Sequence, residues 1–357
     1  MKRYFYSLMI VLGLVLLSAC GSRPPAEEVS PSPLPTMEIA PTDTPIPVAT
    51  PTAVTVITVE IAAVTDSPVP TVAPTCTPVL TASPAPTPEP TPDCLHGIDH
   101  PDAFVIGEPV KTEMSYTSDK VSIQIERIQN PEGFPKPMVC FVADIYIEDI
   151  TSIRSAWSMD TLKESASKPK DVLDLMAREN ALLMINGDYV SKWDFGCVVC
   201  NGKVARKVDN PRYDACVLLK DGTMLTLEGD KTSSEQILAM DPWQAWCFGP
   251  VLLDENGRAK TKFNSSLTGV HPRTAVGYYA PGHYCFVVVD GRRNNYSKGM
   301  TFSELSRFME SLGCAAAYNM DGGGSSVMAF DGRRLNKPSD NRKIPDVIYI
   351  CEPRKEN

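Results

Sequence analysis

The stretch that decides the fold lies near the C-terminus and reads Asn319-Met320-Asp321-Gly322-Gly323-Gly324-Ser325-Ser326. It follows an apolar run, Cys314 to Tyr318, that is typical of a buried strand. Three consecutive glycines are unfavourable in regular structure by roughly 1 kcal/mol each relative to alanine, so they indicate positive φ or a close approach to the backbone. We expect Asp321 at the strand end and the two serines beyond the turn, around one small cavity. The alternative is a tight hairpin turn that binds nothing.

Strands dominate the pattern around this stretch. Residues 121–128 alternate between apolar and polar, and residues 138–147 form a longer apolar run. Further strands are predicted over residues 181–185, 216–219, 224–227, 246–253, 274–279, 284–289 and 327–330. A helix is predicted over 302–312, with Thr301 and Glu304 as a capping box, and another over 170–180. Because strands and helices do not alternate regularly, we predict one sheet-rich α+β domain with few helices.

The N-terminus has the features of a targeting segment. Lys2 and Arg3 precede an apolar run, residues 8–17, that is too short to span a bilayer. The run ends in Leu17-Ser18-Ala19-Cys20-Gly21, which resembles a bacterial lipobox. The resemblance implies removal of residues 1–19 and a diacyl anchor on Cys20, which would hold the protein on the extracellular face of the cell membrane. The alternative is an ordinary secretory signal cleaved near Ala19.

Residues 20–93 are predicted to be a lipid-anchored, proline- and threonine-rich linker. Residues 24–93 hold 18 of the 32 prolines, and they contain no Lys or Arg. Proline removes backbone donors and fixes φ, so we expect a semi-rigid stalk of polyproline type without a sheet or helix. Residues 54–64 form an apolar, strand-like patch within it. The folded domain is therefore predicted to occupy residues 94–357.

Charge and cysteine content argue against nucleic-acid binding and against a disulfide framework. The folded part has no basic run or Lys/Arg stripe, which argues against nucleic-acid binding. Its nine cysteines are an odd number and several lie in apolar runs, so disulfides are not expected to be the main framework. Cys197 and Cys200 form a CxxC that lacks a second ligand pair. We expect buried thiols or a local disulfide there.

Four clusters of polar residues lie at the ends of predicted strands. They are Asn186-Gly187-Asp188, Pro272-Arg273-Thr274, Asp290-Gly291-Arg292 and Asn319-Met320-Asp321-Gly322. Residues at strand ends converge easily on one rim of a sheet. Each cluster alone is equally typical of a turn in which Asp or Asn caps its own backbone. Four such clusters in one domain favour a shared site.

These clusters belong to an ordered set of motifs. The set is AsnGlyAspTyr (186–189), PheGlyPro (248–250), ProArgThrAlaValGly (272–277), AspGlyArg (290–292), ThrPheSerGluLeu (301–305) and AsnMetAspGlyGlyGlySerSer (319–326). In this order it resembles the phosphodiester glycosidase family over about residues 115–352, with Met320 where the family often has Leu. The resemblance implies cleavage of the bond between the anomeric carbon of a sugar, of N-acetylglucosamine type, and a phosphodiester oxygen.

The resemblance and the chemistry together suggest roles for the motif residues. Asp188 and Asp321 are the predicted carboxylate pair, because a carboxylate stabilises an oxocarbenium-like transition state. Arg273 is predicted to bind the phosphate, assisted by Thr274 and the glycine-loop amides. Glu304 is either catalytic or only the capping residue of its helix. The remaining predicted substrate-binding residues are Asn186, Gly187, His271, Asp290, Arg292, Asn319, Gly322, Gly323, Gly324, Ser325 and Ser326.

Two other functions remain open at this point. One is a glycosidase of the same fold that acts on non-phosphorylated glycans, and the other is a non-catalytic lipoprotein that binds glycans or the cell wall. No cofactor is required by the predicted chemistry. Paired Asp residues at strand ends also admit a divalent cation such as calcium, although no metal ligand is assigned.

Overall fold

The computed structural model describes residues 101–134, 136–189, 194–209 and 212–354, which lie in the compact unit Pro84–Asn357. The predicted signal peptide, Cys20, the proline-rich linker and its patch at residues 54–64 lie outside the described residues. Within those residues, no helix has the length and apolar character needed to cross a membrane.

Strands form most of the regular structure in the described part of the chain. In chain order they are β1 (Val110–Lys111), β2 (Ser115–Thr117), β3 (Val121–Gln129), β4 (Val139–Ile147), β5 (Ile153–Trp157), β6 (Leu183–Asn186), β7 (Val198–Cys200), β8 (Lys203–Arg206), β9 (Ala215–Leu219), β10 (Met224–Leu227), β11 (Pro242–Trp246), β12 (Arg273–Ala280), β13 (His283–Val289), β14 (Ala316–Asn319), β15 (Met328–Phe330), β16 (Arg333–Arg334) and β17 (Asp346–Ile350). The helices are α1 (Leu162–Ser167), α2 (Val172–Glu179), α3 (Ser234–Ala239) and α4 (Phe302–Ser311). The prediction of a sheet-rich α+β domain with few helices is confirmed.

The strands pair antiparallel in three sheets, of which the largest has the order β1-β2-β3-β4-β13-β12-β14. Alternation along each strand sends side chains to both faces. On one face, Val287 and its neighbours pack against Phe302 and Leu305 of α4. On the other face, Phe286 belongs to the core cluster that includes Leu183 of β6. Because both faces are covered, β4 and β13 are almost continuously apolar.

The two smaller sheets have the orders β10-β9-β11-β7-β8 and β16-β15-β6-β17-β5. Helix α3 packs against the first and α2 against the second. Thr274, at the start of β12, donates its hydroxyl to Asn186 Oδ1 at the end of β6 over 2.8 Å. This bond joins the large sheet to the β6 sheet at the edge where the polar strand ends meet.

Several local predictions are confirmed and one is wrong. The capping box of Thr301 and Glu304 is present, and α4 is followed by Gly313 at φ 81°. The strand predicted over residues 246–253 lies earlier, as β11, and ends at Trp246. Gly249 has φ 76°, a conformation that takes the chain out of the extended region. The apolar residues that follow are buried without forming a continuous strand.

All eight cysteines within the described residues are free thiols. Cys197 and Cys200 are among them, so the CxxC is a pair of thiols and not a disulfide. Burial raises the pKa of Cys197 to about 11 and that of Cys200 to about 12, which keeps both protonated and unreactive at neutral pH.

Candidate active site

Three acidic residues from different strands meet at the edge between the large sheet and the β6 sheet. Asp188 follows β6, Asp321 follows β14, and Asp346 begins β17. The backbone N–H of Asp321 donates to Gly187 O (3.2 Å), and the N–H of Gly187 donates to Asp346 O (2.9 Å). The two acids predicted from the motifs are thus brought together, with a third beside them.

Asp346 was missed because it stands at the beginning of its strand. In an antiparallel pair, the start of one strand lies beside the end of its neighbour. Val347 of β17 pairs with Asn186 at the end of β6, which places Asp346 next to the residues that follow β6. The sequence signal was present as Pro345-Asp346 before an apolar run.

The three carboxyl groups have different surroundings. Burial raises the pKa of Asp321, and the Ser325 hydroxyl, the Gly322 N–H (2.8 Å) and Arg342 partly offset this shift. Burial followed by repulsion from Asp188 holds the pKa of Asp346 well above its usual range. Asp188 is buried, and its Oδ2 accepts the backbone N–H of Cys247 at 2.8 Å.

Each glycine of the loop contacts a polar group from another segment. A Cβ on Gly322 would lie 2.8 Å from Pro272 O, and one on Gly323 would lie 2.9 Å from Arg292 Nη2. A Cβ on Gly324 would collide with the Asp340 carboxylate. Gly323 also has φ 64°. The three glycines therefore permit close approach of a carbonyl, a cation and an anion from other segments of the chain.

Two arginines lie around this loop. The exposed Arg292 has φ 59°, an uncommon conformation for a residue with a side chain, and its guanidinium covers Gly323. Arg342 donates from Nη1 to Ser325 Oγ at 3.4 Å. Burial raises the pKa values of Asp321 and Tyr189, and the charge of Arg342 offsets part of each rise. Arg342 was not predicted, because residues 335–343 form an irregular polar segment without a strand-end pattern.

A third cation, Arg206, lies on the Asp188 side of the site. Burial lowers the pKa of Arg206, and the Asp188 carboxylate partly offsets that shift. The two charges are therefore within electrostatic reach of each other.

Arg273 does not occupy the position that the sequence suggested. Its Nε donates to Met300 O (2.9 Å), and its Nη2 donates to Leu267 O (2.9 Å) and Gly269 O (2.7 Å). The guanidinium lies 3.8 Å from the centroid of the Phe302 ring. Because successive side chains of a strand point to opposite faces, Arg273 faces α4 while Thr274 faces β6. The predicted phosphate contact is revised to a structural role that holds the 267–269 loop.

Asn186 and Asn319, two of the predicted substrate-binding residues, also form hydrogen bonds with the main chain. Asn186 Nδ2 donates to Asp321 O (2.7 Å), while its Oδ1 accepts from Thr274 and from the N–H of Val327 (3.2 Å). Asn319 Nδ2 donates to Gly249 O at 2.8 Å. Asn186, Asn319 and Thr274 are each at most 1% exposed. Asn186 positions the Asp321 segment, so its predicted substrate contact is revised to a structural role. Asn319 holds Gly249 through Nδ2, while its Oδ1 is buried without a hydrogen-bond partner among the described residues.

Asp290 and Glu304 have structural partners as well. Both Asp290 oxygens are occupied: Oδ1 accepts from Asn336 Nδ2 (2.8 Å) and Oδ2 from the Tyr296 hydroxyl (2.9 Å). Glu304 Oε2 accepts the N–H (2.7 Å) and the hydroxyl (2.9 Å) of Thr301. The structure therefore supports the capping interpretation of Glu304 and places Asp290 as an anchor of the 290–297 and 336–337 segments.

His271, Ser325 and Ser326 remain close to the site. Burial, with Arg273 and Arg292 nearby, lowers the pKa of His271, so its imidazole is neutral at pH 7. Its Nδ1 and the Ser326 hydroxyl are buried without a hydrogen-bond partner among the described residues. The Ser325 hydroxyl contacts both Arg342 and Asp321 and so links this arginine to the acids.

A cleft of about 550 Å³ lies one residue along the chain from a contact of Asp188. Its walls include Arg212, Tyr213, Phe248, Asn264 and Leu267. Phe248 directly follows Cys247, the residue that donates its N–H to Asp188. Aromatic faces with amide and hydroxyl groups are suited to carbohydrate rings.

No metal centre can be assigned within the described ranges. Nowhere in them do three or more His, Cys, Asp or Glu side chains form a group that could hold a metal ion. The divalent cation considered from the sequence therefore has no ligand set there.

Residues 179–351, which hold the acid cluster and the glycine loop, match the family model described as phosphodiester glycosidase. The resemblance found in the ordered motifs is thus confirmed over this region. The chain is 28% identical over 194 residues to the SPbeta prophage-derived uncharacterized protein YomE of Bacillus subtilis (strain 168). The match covers 51% of this chain and 30% of that protein. It is 25% identical over 183 residues to the N-acetylglucosamine-1-phosphodiester alpha-N-acetylglucosaminidase of Bos taurus. That match covers 44% of this chain and 34% of the bovine protein. The chain therefore spans about a third of the length of the curated relatives it matches.

Two solved structures share the fold. The catalytic domain of zebrafish N-acetylglucosamine-1-phosphodiester alpha-N-acetylglucosaminidase, auto-inhibited by its pro-peptide, superposes with a TM-score of 0.53 at 20% identity over 65% of this chain and 83% of that chain. A hypothetical protein from Synechocystis superposes with a TM-score of 0.50 at 13% identity, over 65% of this chain and 62% of that chain. At these identities the likeness concerns the fold alone.

Proposed function

We propose that this protein hydrolyses the glycosidic bond of a sugar-1-phosphodiester and releases the free sugar, with a sugar of N-acetylglucosamine type. The observation that carries the proposal is the acid cluster of Asp188 and Asp321 beside a glycine loop that Arg292 covers and whose Ser325 contacts Arg342. A glycosyl phosphodiester needs both kinds of group, because its transition state has positive charge at the anomeric carbon and a departing anion.

The surroundings of the acids support a division of roles. Asp188 accepts a backbone N–H and lies near Arg206, and both interactions favour the ionised carboxylate. Asp188 is therefore the proposed nucleophile or base. The raised pKa of Asp321 favours the protonated form, which suits an acid or a donor to a sugar hydroxyl.

Arg292 and Arg342 take the phosphate role that the sequence suggested for Arg273. A guanidinium binds phosphate oxygens with two parallel hydrogen bonds, and Ser325 would add a hydroxyl donor between Arg342 and Asp321. A phosphodiester is already a good leaving group, so holding its charge matters more than protonating it. The cleft lined by Tyr213 and Phe248 is the proposed place for the sugar or its aglycone.

The experiment is a substrate panel on wild type and Arg342→Gln. We expect wild type to hydrolyse N-acetylglucosamine-1-phosphomethyl diester much faster than the aryl N-acetylglucosaminide. Arg342→Gln should lower kcat/KM for the diester by about 100-fold, because the leaving anion loses a charged partner, and should change the aryl glycoside little.

Lys343→Gln is the matched control, since it removes a neighbouring exposed charge. Turnover of the aryl glycoside alone would favour a glycosidase of the same fold. Tight glycan binding without turnover of either compound would favour a non-catalytic wall-binding protein.

We also propose that Cys20 carries a lipid and holds the domain on the extracellular face of the membrane. The lipobox-like sequence and the proline-rich linker support this placement. Two acyl chains give stable membrane attachment, so the wild-type protein should sediment with membranes and Cys20→Ser should not. Equal membrane recovery of both forms would contradict the proposal.

A further inference from the structure

Asp346 holds both residues that flank Asp188. Its main-chain oxygen accepts the N–H of Gly187 (2.9 Å), and its Oδ1 accepts the N–H of Tyr189 (3.0 Å). Tyr189 has φ 62°, a conformation that needs such support in a residue with a side chain. A Cβ on Gly187 would collide with Asp346 Oδ1, which explains the glycine at that position. The turn that presents Asp188 is therefore built on Asp346.

The second carboxyl oxygen of Asp346 has a different environment. Oδ2 is buried and has no hydrogen-bond partner among the described residues. A cavity of about 10 Å³, room for about one water molecule, is lined by both Asp346 and Asp188, with Cys200 and Trp246 in its wall. An ionised carboxylate with a bare oxygen at such a place is strongly unfavourable.

Among the residues that the structure describes, none of the groups that shift the pKa of Asp346 carries a positive charge. Its titratable neighbours are Asp188, Asp321, Tyr189 and Cys200. In β5, the residue that pairs with Asp346 is Trp157. The charged residue of that strand, Arg154, pairs with Tyr349, three residues after Asp346 in β17. None of the described ion pairs includes Asp346.

We propose that Asp346 is a positioning residue that acts as a neutral carboxylic acid: Oδ1 fixes the turn that carries Asp188, and Oδ2 keeps its proton and directs it into the cavity shared with Asp188. Asp188 can then be the single anion of the pair. Ionisation of Asp346 at high pH would place two anions side by side and disturb the turn. This inference rests on the proposed function for its kinetic readout only.

The test compares Asp346→Asn with Asp346→Ala in pH profiles of kcat/KM on N-acetylglucosamine-1-phosphomethyl diester. Asn mimics the neutral acid, because its oxygen accepts from Tyr189 and its amide supplies the donor. We expect Asp346→Asn to stay within about threefold of wild type at the pH optimum and to retain activity further into the alkaline range. Asp346→Ala should lose about tenfold or more at every pH, since the turn loses its acceptor.

A second measurement does not depend on turnover. Because burial raises the folded-state pKa of Asp346, its contribution to stability is full below the unfolded pKa of about 4 and is lost as pH rises through the folded pKa. Wild-type Tm should therefore fall as pH rises above about 4, and Asp346→Asn should flatten that slope. Glu228 acts in the opposite sense, but its pKa is lowered to about 2, so its contribution changes only below about pH 5.

The outcomes separate the two proposals. If Asp346→Asn loses as much activity as Asp188→Asn, Asp346 acts as an anion and the inference is overturned. The same holds if the Tm slope is identical in wild type and Asp346→Asn. If no diester is hydrolysed but the slope flattens, the proposed function fails while the neutral carboxyl stands.

Discussion

An Asp188→Asn variant is expected to lose about 10³-fold in kcat toward a sugar-1-phosphodiester, with little change in KM. Asn keeps an oxygen that can accept the Cys247 N–H, so the local backbone is preserved. The negative charge, which would face the anomeric carbon, is removed. Steady-state kinetics at several pH values, with circular dichroism to verify the fold, provides the measurement.

Asp214→Asn is the matched control for this variant. Asp214 is buried to the same extent, and its Oδ2 accepts the N–H of Val251 at 2.9 Å, but it is not part of the acid cluster. We expect it to lower Tm while the folded enzyme keeps its kcat within about threefold. If Asp188→Asn retains wild-type kcat, or if both variants lose activity equally, Asp188 has no special chemical role.

An Arg273→Leu variant is expected to lose about 3 kcal/mol or more in the free energy of unfolding. Hydrogen bonds to a charged group contribute about 1.5–3 kcal/mol each, and the main-chain oxygens of Leu267 and Gly269 would lose the guanidinium that donates to them. The stacking of the guanidinium on Phe302 adds a desolvated cation–π contact. Urea denaturation followed by fluorescence measures the loss.

Arg292→Leu separates stability from activity. Arg292 is exposed and covers the glycine loop, so its replacement should change the free energy of unfolding by only about 0.5 kcal/mol. We expect it to lower kcat/KM for the diester by about tenfold or more. The reverse result, with Arg273→Leu stable but inactive toward the diester, would restore Arg273 as the phosphate ligand.

Local features of the fold were readable from the sequence because they depend on neighbouring residues. The capping box of Thr301 and Glu304 predicted α4, and the apolar runs over 274–279 and 284–289 predicted the two strands of the β12–β13 hairpin. The strand that leads to the glycine stretch was also predicted, as β14. The predicted strand 246–253 failed because periodicity does not reveal the positive φ at Gly249.

The site was predictable only in part. Asp188 and Asp321 stand at strand ends, and the sequence suggested that they meet. Whether a side chain at such an end points into the site depends on the face of the sheet that it occupies, and Arg273 points to the opposite one. Arg342, in an irregular segment, had no pattern that could reveal it.

The sequence by itself determined the elements, the order of the motifs and two of the three acids, since each follows from spacing along the chain. Tertiary structure alone decided that Asp346 lies against the Asp188 turn, that Arg292 and Arg342 surround the glycines, and that Arg273 supports a loop. The physical reason is that antiparallel pairing brings strand starts beside strand ends from distant parts of the chain, and burial then sets which of the assembled groups keeps its charge.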